Sequence, residues 1–282
     1  MASKQVENTA FSVGQLRAIE GRFPPGVRLF EDPIAERLLT GMPALIVRTR
    51  PLRWGFLRMM ERAAAGFYGG VVCRTRAIDD ACREALLGDV PQVVILGAGM
   101  DTRPYRMSEM RGTRIWELDL PAVQRVKRSA VTRALGQSPA AVRYVPVDLE
   151  VAGALGVLDD HGFDRGARTL LICEAVSPYL SGAAVEETLA FAGTLAVGSR
   201  LVFSYIPRSV LDGTRYAGWV RRLNWQTGFD PALLGGHLAT HGLTLRADLG
   251  AEEYQELFLR PRNRALDVFE IERVAIADRK VS

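Results

Sequence analysis

A short apolar run that leads directly into two closely spaced glycines constrains the fold of this chain most strongly. Val93 to Leu96 have the composition of a buried β-strand, and Gly97-Ala98-Gly99 follow at once, before helix-compatible sequence. This order of strand, glycine turn and helix presents a nucleotide-sized ligand at the carboxyl end of a parallel strand. Gly97 can adopt a positive φ, and Gly99 lets a ligand approach the backbone without a Cβ in the way. The motif alone does not identify the ligand.

From this motif onward, strands alternate with helices, which predicts a doubly wound α/β fold. The pattern indicates a seven-stranded, mostly parallel sheet, and we expect it to turn antiparallel at one edge, near the last two strands. The predicted strands are Val93–Leu96, Thr113–Leu118, Val142–Val147, Thr169–Cys173, Leu201–Ile206, Leu243–Leu249 and Phe269–Arg279. A helix over Ala183–Val197 is expected to begin at the N-cap Ser181.

The chain divides into an N-terminal helical cap, residues 1–66, and a main domain, residues 67–282, with an insertion at about 207–242 that covers the site. Asp32-Pro33 predicts a helix start, with Asp32 as N-cap and Pro33 in the first helical position. The stretch Ile46–Arg62 reads as a basic amphipathic helix. It either binds an anionic surface or packs its apolar side on the main domain, and we favour packing.

Composition excludes several classes of protein. The 36 basic and 32 acidic residues leave a net charge of +4 without any block of like charges, so no nucleic-acid partner is expected. Cys73, Cys82 and Cys173 form no CxxC pair, which argues against a disulfide framework and indicates a reducing, cytoplasmic location. Residues 188–207 are largely apolar, but Gly198-Ser199-Arg200 splits them, and the N-terminus lacks the apolar core of a signal peptide. No stable membrane association is therefore expected, and the oligomeric state is left open.

The glycine turn departs from the dinucleotide fingerprint G-x-G-x-x-G. Threonine, at position 102, replaces the third glycine, and Asp101 stands where a pyrophosphate would have to approach. These departures favour a ligand that carries positive charge and no phosphate. S-adenosylmethionine, with an ammonium and a sulfonium group, has these properties.

Carboxylates at successive strand ends support this ligand. Glu117 and Asp119 close the second strand on the same side, and Asp119 lies 20 residues beyond Gly99, at the spacing of an acid that binds ribose hydroxyls. Asp148 and Leu149 follow the third strand, where they suit an adenine ring. Glu174 follows the fourth strand, near the expected amino-acid end of the ligand.

Two further clusters have alternative readings. Arg74-Thr75-Arg76 precedes Asp79-Asp80 by one helical turn, so these residues either form salt bridges on a solvated face or let an arginine reach the carboxylate of the ligand. His237 and His241 share one helix face at the spacing of metal ligands. The sequence offers no obvious third ligand, so we expect a helix exterior and no metal.

Six motifs together resemble the leucine carboxyl methyltransferase family in its bacterial branch. They run in order between Arg17 and Tyr205, and they are RLFEDPIAERLL, CRTRAID, GAGMDTR, WELDLP, VPVDLE and LLICEAVSPYL. The resemblance implies a Rossmann-like class I S-adenosylmethionine-dependent methyltransferase, with N-terminal helices and an insertion that cover the site.

The resemblance also implies roles for individual residues. Arg74 would bind the carboxylate of the cofactor, and Asp119 its ribose. Asp148 and Leu149 would hold the adenine, and Glu174 would face the amino group or the sulfonium. Gly97, Ala98, Gly99 and Asp101 would form the loop that lines the cofactor, with Glu117 beside Asp119. A basic residue near the N-terminus also contacts the cofactor or substrate in this family, and here it would be Arg17 or Arg22.

The expected reaction is O-methylation, which forms a methyl ester on a small polyketide or aromatic carboxylate in secondary metabolism. A carboxylate acceptor is already ionised and needs a clamp rather than a base. Tyr179 and Arg215 are the candidate clamp residues, and the aromatic and basic stretch from Arg215 to Trp225 suits a flat acid. The alternatives are a phenol or alcohol acceptor and a protein C-terminal carboxylate. From a different class, an NAD-binding oxidoreductase or an inactive cofactor-binding module also fits the glycine turn.

Overall fold

A seven-stranded sheet organises the protein, in the strand order β3-β2-β1-β4-β5-β7-β6. The computed structural model describes residues 2–137 and 139–280, with side chains from residue 11 onward. The strands are β1 (Gln92–Leu96), β2 (Arg114–Asp119), β3 (Val142–Pro146), β4 (Thr169–Cys173), β5 (Arg200–Tyr205), β6 (Leu243–Leu249) and β7 (Arg273–Arg279).

Parallel pairing holds the first five strands together, and β7 runs antiparallel to both of its neighbours, β5 and β6. This arrangement confirms the predicted doubly wound, mostly parallel sheet. The chain reverses its winding direction at β1, since β2 and β3 lie on one side of it and β4 and β5 on the other. In open α/β sheets the crevice at such a switch point, beyond the carboxyl ends of the strands, is where ligands bind.

Helices cover both faces of the sheet, so the central strands are buried on both sides and are largely apolar. In β1, Val93 and Ile95 belong to one core cluster, and Val94 and Leu96 belong to the other, as the two-residue period of a strand requires. The helices are α1 (Ala2–Glu20), α2 (Pro33–Leu38), α3 (Gly41–Arg48), α4 (Arg50–Ala63), α5 (Phe67–Leu87), α6 (Arg103–Arg106), α7 (Pro121–Leu135), α8 (Val157–Asp160), α9 (Gly182–Thr194), α10 (Arg208–Asp212), α11 (Ala217–Leu223), α12 (Pro231–Thr240) and α13 (Ala251–Tyr254).

The N-terminal helices share a hydrophobic core with the sheet. Leu16 and Ile19 of α1 are buried in the same cluster as Val72 and Ile78 of α5. A buried ionic cluster reinforces this contact, because Arg264 Nη2 donates to Glu20 Oε2 at 2.8 Å and Tyr68 donates to the same oxygen at 2.5 Å. Helices α1–α4 are therefore packed against the sheet domain along their inner side.

Local sequence signals explain several helix ends. Asp32 caps α2 by accepting a hydrogen bond from Ala35 N at 2.8 Å, with Pro33 in the first turn, as predicted. Ser181 caps α9 by accepting from Ala184 N, also as predicted. Within the described residues, no helix combines the length and apolar character needed to cross a membrane.

Three predicted elements differ from the structure by more than one residue at an end. The stretch Ile46–Arg62 is divided between α3 and α4, because Thr49, two residues before Pro51, is extended. The helix expected over Ala183–Val197 stops at Thr194, where Leu195 becomes extended. The last strand begins at Arg273 rather than Phe269, since Phe269 N donates to Gly66 O at 2.9 Å instead of joining the sheet.

The apolar side of α4 is only partly covered. Phe56, Leu57 and Met60 pack against the main core, in line with the favoured prediction, whereas Trp54 and Met59 are exposed.

Candidate cofactor-binding and active site

The glycine turn after β1 requires its glycines. Gly97 has φ +56° and Gly99 has φ +41°, both in the region where a Cβ is unfavourable. A Cβ at Gly97 would also lie 2.2 Å from Cγ2 of Val176, in the segment after β4. The turn is thus in direct contact with the end of the neighbouring strand, and Ala98 between the glycines is buried.

Asp119 is held against this turn by backbone donors. Its Oδ2 accepts from Gly99 N at 2.6 Å, and its Oδ1 accepts from Leu120 N at 2.7 Å. Burial raises the pKa of the Asp119 carboxyl, while the two backbone N–H groups oppose that shift. The structure therefore brings the ends of β1 and β2 together through one carboxylate.

Glu117 lies inside the protein and does not share the position of Asp119. It is fully buried, with Lys127 Nζ at 2.7 Å and the Tyr105 hydroxyl donating to it at 2.9 Å. Burial raises the pKa of Glu117, and the Lys127 ammonium opposes the rise. Because Lys127 also donates to Ala98 O at 3.3 Å, the Glu117–Lys127 pair supports the glycine turn from beneath.

The end of β3 contributes an exposed acid and a half-buried apolar side chain. The Oδ1 atom of Asp148 accepts only a local hydrogen bond from Glu150 N, at 3.0 Å. Leu149 packs beside Val176 and Leu180 from the end of β4. The residues predicted to hold the adenine thus lie at the same edge of the sheet as the glycine turn.

Arg74 on α5 reaches the far side of this edge. Its Nε donates to Glu174 Oε1 at 2.9 Å, and its Nη1 pairs with Glu272, immediately before β7. Glu272 Oε1 in turn accepts from the Ser204 hydroxyl, at the end of β5, at 2.6 Å. Burial disfavours the charge on Glu174, but Arg103 and Arg74 outweigh it and hold the pKa of Glu174 below its usual range.

Glu272 is the residue that the sequence reasoning missed. Acids were sought only at the carboxyl ends of parallel strands, and Glu272 precedes its strand. Because β7 is antiparallel to β5, its beginning lies at the edge where the parallel strands end. The sequence analysis predicted this antiparallel edge, but it placed the strand over Phe269–Arg279, so Glu272 fell inside the predicted strand and not before it.

Arg103 connects the glycine turn to α5 and β4. It donates to Asp79 Oδ1 at 2.7 Å, to Asp101 Oδ2 at 2.8 Å and to Glu174 Oε2 at 2.6 Å. The expectation that Asp79 lies on a solvated helix face is wrong: Asp79 is fully buried between Arg103 and Arg106, because the α5 face that bears it packs against the turn after β1. The salt bridge expected between residues one helical turn apart forms between Arg76 Nε and Asp80 Oδ2, at 2.7 Å.

The charges around this edge leave one uncompensated carboxylate. The connected network has four guanidinium groups and five acids, and consists of Arg17, Arg74, Arg103, Arg106, Asp32, Asp79, Asp101, Glu174 and Glu272. Asp119 lies beside this network, and no side-chain cation of the described residues is in hydrogen-bond contact with it. An anionic phosphate would meet this surplus of negative charge, whereas a ligand with ammonium and sulfonium groups compensates it. The donor set and the glycine turn therefore fit S-adenosylmethionine.

Of the two basic residues considered near the N-terminus, Arg17 is the one that contacts this region. Its guanidinium donates to Met100 O in the glycine turn and to Asp32 Oδ2 at 3.1 Å. Arg22 pairs with Glu36 instead, where both side chains are partly exposed.

The insertion after β5 lies along the turn that carries Tyr179. Gln226 N donates to Pro178 O at 2.7 Å, and the Thr227 hydroxyl donates to Leu180 O at 2.6 Å. Tyr179 is half-buried, and burial raises the pKa of its hydroxyl, with Glu272 and Arg74 close enough to influence it. This turn therefore connects the network at the sheet edge to the insertion.

Arg215 is exposed and stacks over the ring of Tyr216 at 5.1 Å. It lines a cavity of about 370 Å³ together with Ala63, Ala64, Ala65, Tyr216, Trp219, Val268, Phe269 and Glu270. Three aromatic rings form one wall, because Phe269 lies 5.1 Å from Tyr216 and 5.8 Å from Trp219. The structure does not bring Arg215 into contact with Tyr179.

The histidine pair on α12 has a third potential ligand after all. His237 Nε2 lies 2.8 Å from Glu186 Oε1, and His241 Nε2 lies 3.0 Å from Glu186 Oε2. The expectation that no third ligand accompanies the pair is therefore wrong. Glu186 belongs to α9, and only the packing of α12 against α9 brings it there.

Comparison with known proteins agrees with this geometry. Residues 10–193 match the model of the leucine carboxyl methyltransferase family. A Streptomyces coelicolor protein, provisionally named an S-adenosyl-L-methionine-dependent methyltransferase, is 32% identical over 243 residues, which cover 83% of this chain and 81% of that protein. A Mycolicibacterium gilvum protein with the same provisional name is 37% identical over 223 residues, covering 76% and 70% of the two chains.

Solved structures share the fold at low sequence identity. A protein from Thermobifida fusca, provisionally described as a methyltransferase, superposes with a TM-score of 0.59 at 14% identity, over 88% of this chain and 94% of that one. A DUF574 family protein from Streptomyces avermitilis gives a TM-score of 0.55 at 16% identity, over 82% and 91% of the two chains.

The sheet order, the glycine turn and the strand-end acids, together with these relatives, define a class I S-adenosylmethionine-dependent methyltransferase. Its cofactor is S-adenosylmethionine, and the NAD-dependent alternative is set aside. Within that class, the chain belongs to the leucine carboxyl methyltransferase family.

Proposed function

We propose that the enzyme methylates a carboxylate oxygen of a small polyketide or aromatic acid and so forms a methyl ester. The observation that carries this proposal is the position of its histidines. His237 and His241 contact Glu186, and His161 Nδ1 lies 2.9 Å from Val157 O, close to α8. The three histidines of the chain therefore have partners other than Arg74 and Glu174, so we do not assign a histidine as general base. A carboxylate acceptor is already ionised and needs no general base.

Residues at the sheet edge are proposed to hold the cofactor. Arg74 would bind its carboxylate and Glu174 its ammonium or sulfonium, while Asp119 would accept hydrogen bonds from the ribose. Asp148 and Leu149 would contact the adenine, and Gly97, Ala98, Gly99 and Asp101 would form the wall of the site. Glu117 supports this wall through Lys127, so its role is better assigned as positioning.

The chemistry is an in-line displacement. S-adenosylmethionine supplies a methyl group on a sulfonium, which is a good leaving group, so alignment of the acceptor can provide most of the rate. A tyrosine hydroxyl is protonated at neutral pH, and burial raises the pKa of Tyr179 further, so this hydroxyl can donate a hydrogen bond to one oxygen of the acceptor. Arg215 would attract the acid to the aromatic cavity and neutralise it there.

The aromatic cavity supports a flat acceptor. Tyr216, Trp219 and Phe269 offer ring faces and edges for stacking, and the volume of about 370 Å³ suits a small molecule.

We propose that residues 1–66 act as a cap, that residues 67–282 form the methyltransferase domain, and that the insertion at about 207–242 selects the acceptor. The three free, buried cysteines support the proposed cytoplasmic location.

The test uses S-adenosylmethionine labelled on its methyl group and a panel of aromatic and polyketide acids, each paired with its carboxamide and with a phenol of the same ring size. We expect label in the acids alone, in a product that releases labelled methanol in alkali. An alkali-stable product from the phenols would support an ether-forming enzyme instead. Label in a peptide with a free C-terminus, but not in its amidated form, would point to a protein carboxylate.

A further inference from the structure

We propose that Glu186, His237 and His241 form a binding site for one zinc ion, which fastens α12 to α9. The site is separate from the cofactor network at the sheet edge, and it does not depend on the proposed function.

The three ligand atoms already converge. His237 lies in α12 and His241, four residues later, is its C-cap residue, so their rings project from the same side of the helix. Both Nε2 atoms point at one carboxylate, at 2.8 and 3.0 Å, and all three ligand atoms lie within 4.8 Å of one another. An ion between them needs small rotamer shifts, since zinc binds imidazole nitrogen and carboxylate oxygen at about 2.0–2.2 Å.

The donor set selects the class of ion. Two imidazoles and one carboxylate suit zinc and its first-row neighbours rather than calcium or magnesium, which prefer oxygen ligands throughout. The side chains are 35%, 17% and 48% exposed for His237, His241 and Glu186, so an ion can enter from solvent and keep a water in the fourth position.

The two helices are built to approach closely at this place. A Cβ on Gly193 of α9 would lie 2.1 Å from the carbonyl oxygen of His241, so only glycine permits the observed contact. On the other side, the ring of Phe229 lies 5.4 Å from that of His237. The helix that carries both histidines is therefore fixed in position before any ion binds, which lowers the cost of forming the site.

An ion here would stabilise the end of the insertion. Phe229 is the last residue before the N-cap Asp230 of α12, and its backbone N donates to Ile206 O at 3.0 Å, at the end of β5. Zinc at α12 would hold this junction, and with it the point where the insertion rejoins the sheet domain.

Binding to cysteine does not compete with this site. Cys73, Cys82 and Cys173 are buried, and burial raises the pKa of each thiol to about 12, so none offers a thiolate to an added ion. His161 is the remaining histidine of the chain, and it supplies the matched control.

The experiment titrates full-length protein, freed of any histidine tag, with Co²⁺ followed by visible absorption, and then displaces the cobalt with Zn²⁺. We expect one cobalt per chain, full displacement by zinc, and a rise in melting temperature on adding zinc. H237Q, H241Q and E186Q should each weaken zinc binding at least about tenfold, as loss of metal-site groups commonly does, whereas H161Q should bind as the unmodified protein does.

Retained binding of S-adenosylmethionine shows that each variant is folded. The proposal is overturned if cobalt is not taken up, if H161Q weakens uptake as much as H241Q does, or if zinc raises the melting temperature of E186Q and of the unmodified protein equally. A stabilisation that depends on pH but not on zinc, and that is lost in E186Q, would also overturn it, because Glu186 would then form only an ion pair with the histidines.

Discussion

Arg74 Nε and Glu174 Oε1 are 2.9 Å apart, although 100 residues separate them in the chain. The contact joins α5, which precedes the sheet, to the end of β4. Since Arg74 Nη1 also pairs with Glu272, two carboxylates contact this one guanidinium. In the proposed role of Arg74, the cofactor carboxylate would bind the same guanidinium, and the cofactor ammonium would compensate the charge of the two acids.

Replacement of Arg74 by lysine tests its proposed role. R74K keeps the positive charge but loses the planar fork that serves two carboxylates. We expect the affinity for S-adenosylmethionine to fall by about tenfold or more, or about 1.4 kcal/mol, as measured by calorimetry. R76K is the control, because Arg76 lies on the same helix and pairs with Asp80. Equal affinity in R74K and R76K would contradict the assignment.

An alanine at Gly97 should damage both stability and cofactor binding. Its Cβ would lie 2.2 Å from Val176 Cγ2, and the residue would keep a positive φ. We expect a loss of about 1–3 kcal/mol in the free energy of unfolding, measured by chemical denaturation. G55A should instead be neutral or stabilising by up to about 1 kcal/mol, since Gly55 lies within α4 with open space around it. A fully stable G97A protein would show that the turn tolerates a side chain.

Cofactor binding should weaken in acid through Asp119. Ribose hydroxyls donate hydrogen bonds to the ionised carboxylate, so affinity is full above the pKa of Asp119 in the free protein and is lost as the pH falls through it. Because burial raises that pKa, the loss should begin nearer to neutral pH than for an ordinary aspartate. Glu174 stays ionised in this range, since Arg103 and Arg74 lower its pKa.

Calorimetry between about pH 7 and pH 4.5, a range that lies above the ordinary carboxyl pKa values of about 3.9–4.3, measures this effect. D119N should remove most of the pH dependence, whereas D148N should lower the affinity and keep the dependence. An unchanged pH profile in D119N would assign the titration to another group.

The proposed clamp residues should affect the acceptor and not the cofactor. Y179F and R215A are expected to raise KM for a carboxylate acceptor by about tenfold, the scale of one hydrogen bond to a charged group, with the Kd for S-adenosylmethionine unchanged. R208A is the control, because Arg208 is an exposed arginine at the start of the same insertion. Equal KM values in R208A and R215A would remove Arg215 from the acceptor site.

The ionic cluster of Glu20, Tyr68 and Arg264 should contribute strongly to stability. R264A leaves Glu20 buried without its guanidinium partner, and we expect a loss of about 3–5 kcal/mol in the free energy of unfolding. R260A removes a solvent-exposed pair with Glu256 and should cost less than about 1 kcal/mol. Thermal and chemical denaturation of both variants measure these losses in the free energy of unfolding. Similar losses would show that the buried cluster stabilises the protein no more than an exposed ion pair does.

Most of the fold follows from local signals in the sequence. The β1 run and its glycine turn, the Asp32 and Ser181 caps, and the alternation of strands and helices predict the parallel sheet, because each depends on neighbouring residues only. The bounds that differ are set by distant contacts. Phe269 lies outside the last strand because its backbone N donates to Gly66 O, about two hundred positions earlier in the chain. No local sequence pattern contains that information.

The candidate site residues that directly follow parallel strands could be predicted from the sequence. Those whose partners lie far away in the sequence could not. Asp119, Asp148 and Glu174 are found by their position after parallel strands. Glu272, Arg103 and Glu186 acquire their partners through an antiparallel strand, a buried ionic network and helix packing. The spacing argument also gave Glu117 and Asp119 the same role, although their environments differ. Glu117 is paired with Lys127 in the interior, whereas Asp119 accepts hydrogen bonds from backbone N–H groups.

The place of β7 between β5 and β6 has a consequence for synthesis on the ribosome. Until residues 273–279 emerge, β5 and β6 have no strand between them, and each presents an open edge to other nascent chains. Arg74 meanwhile lacks Glu272, so the edge at which we propose that the cofactor binds acquires its full set of charges only when the antiparallel strand joins the sheet.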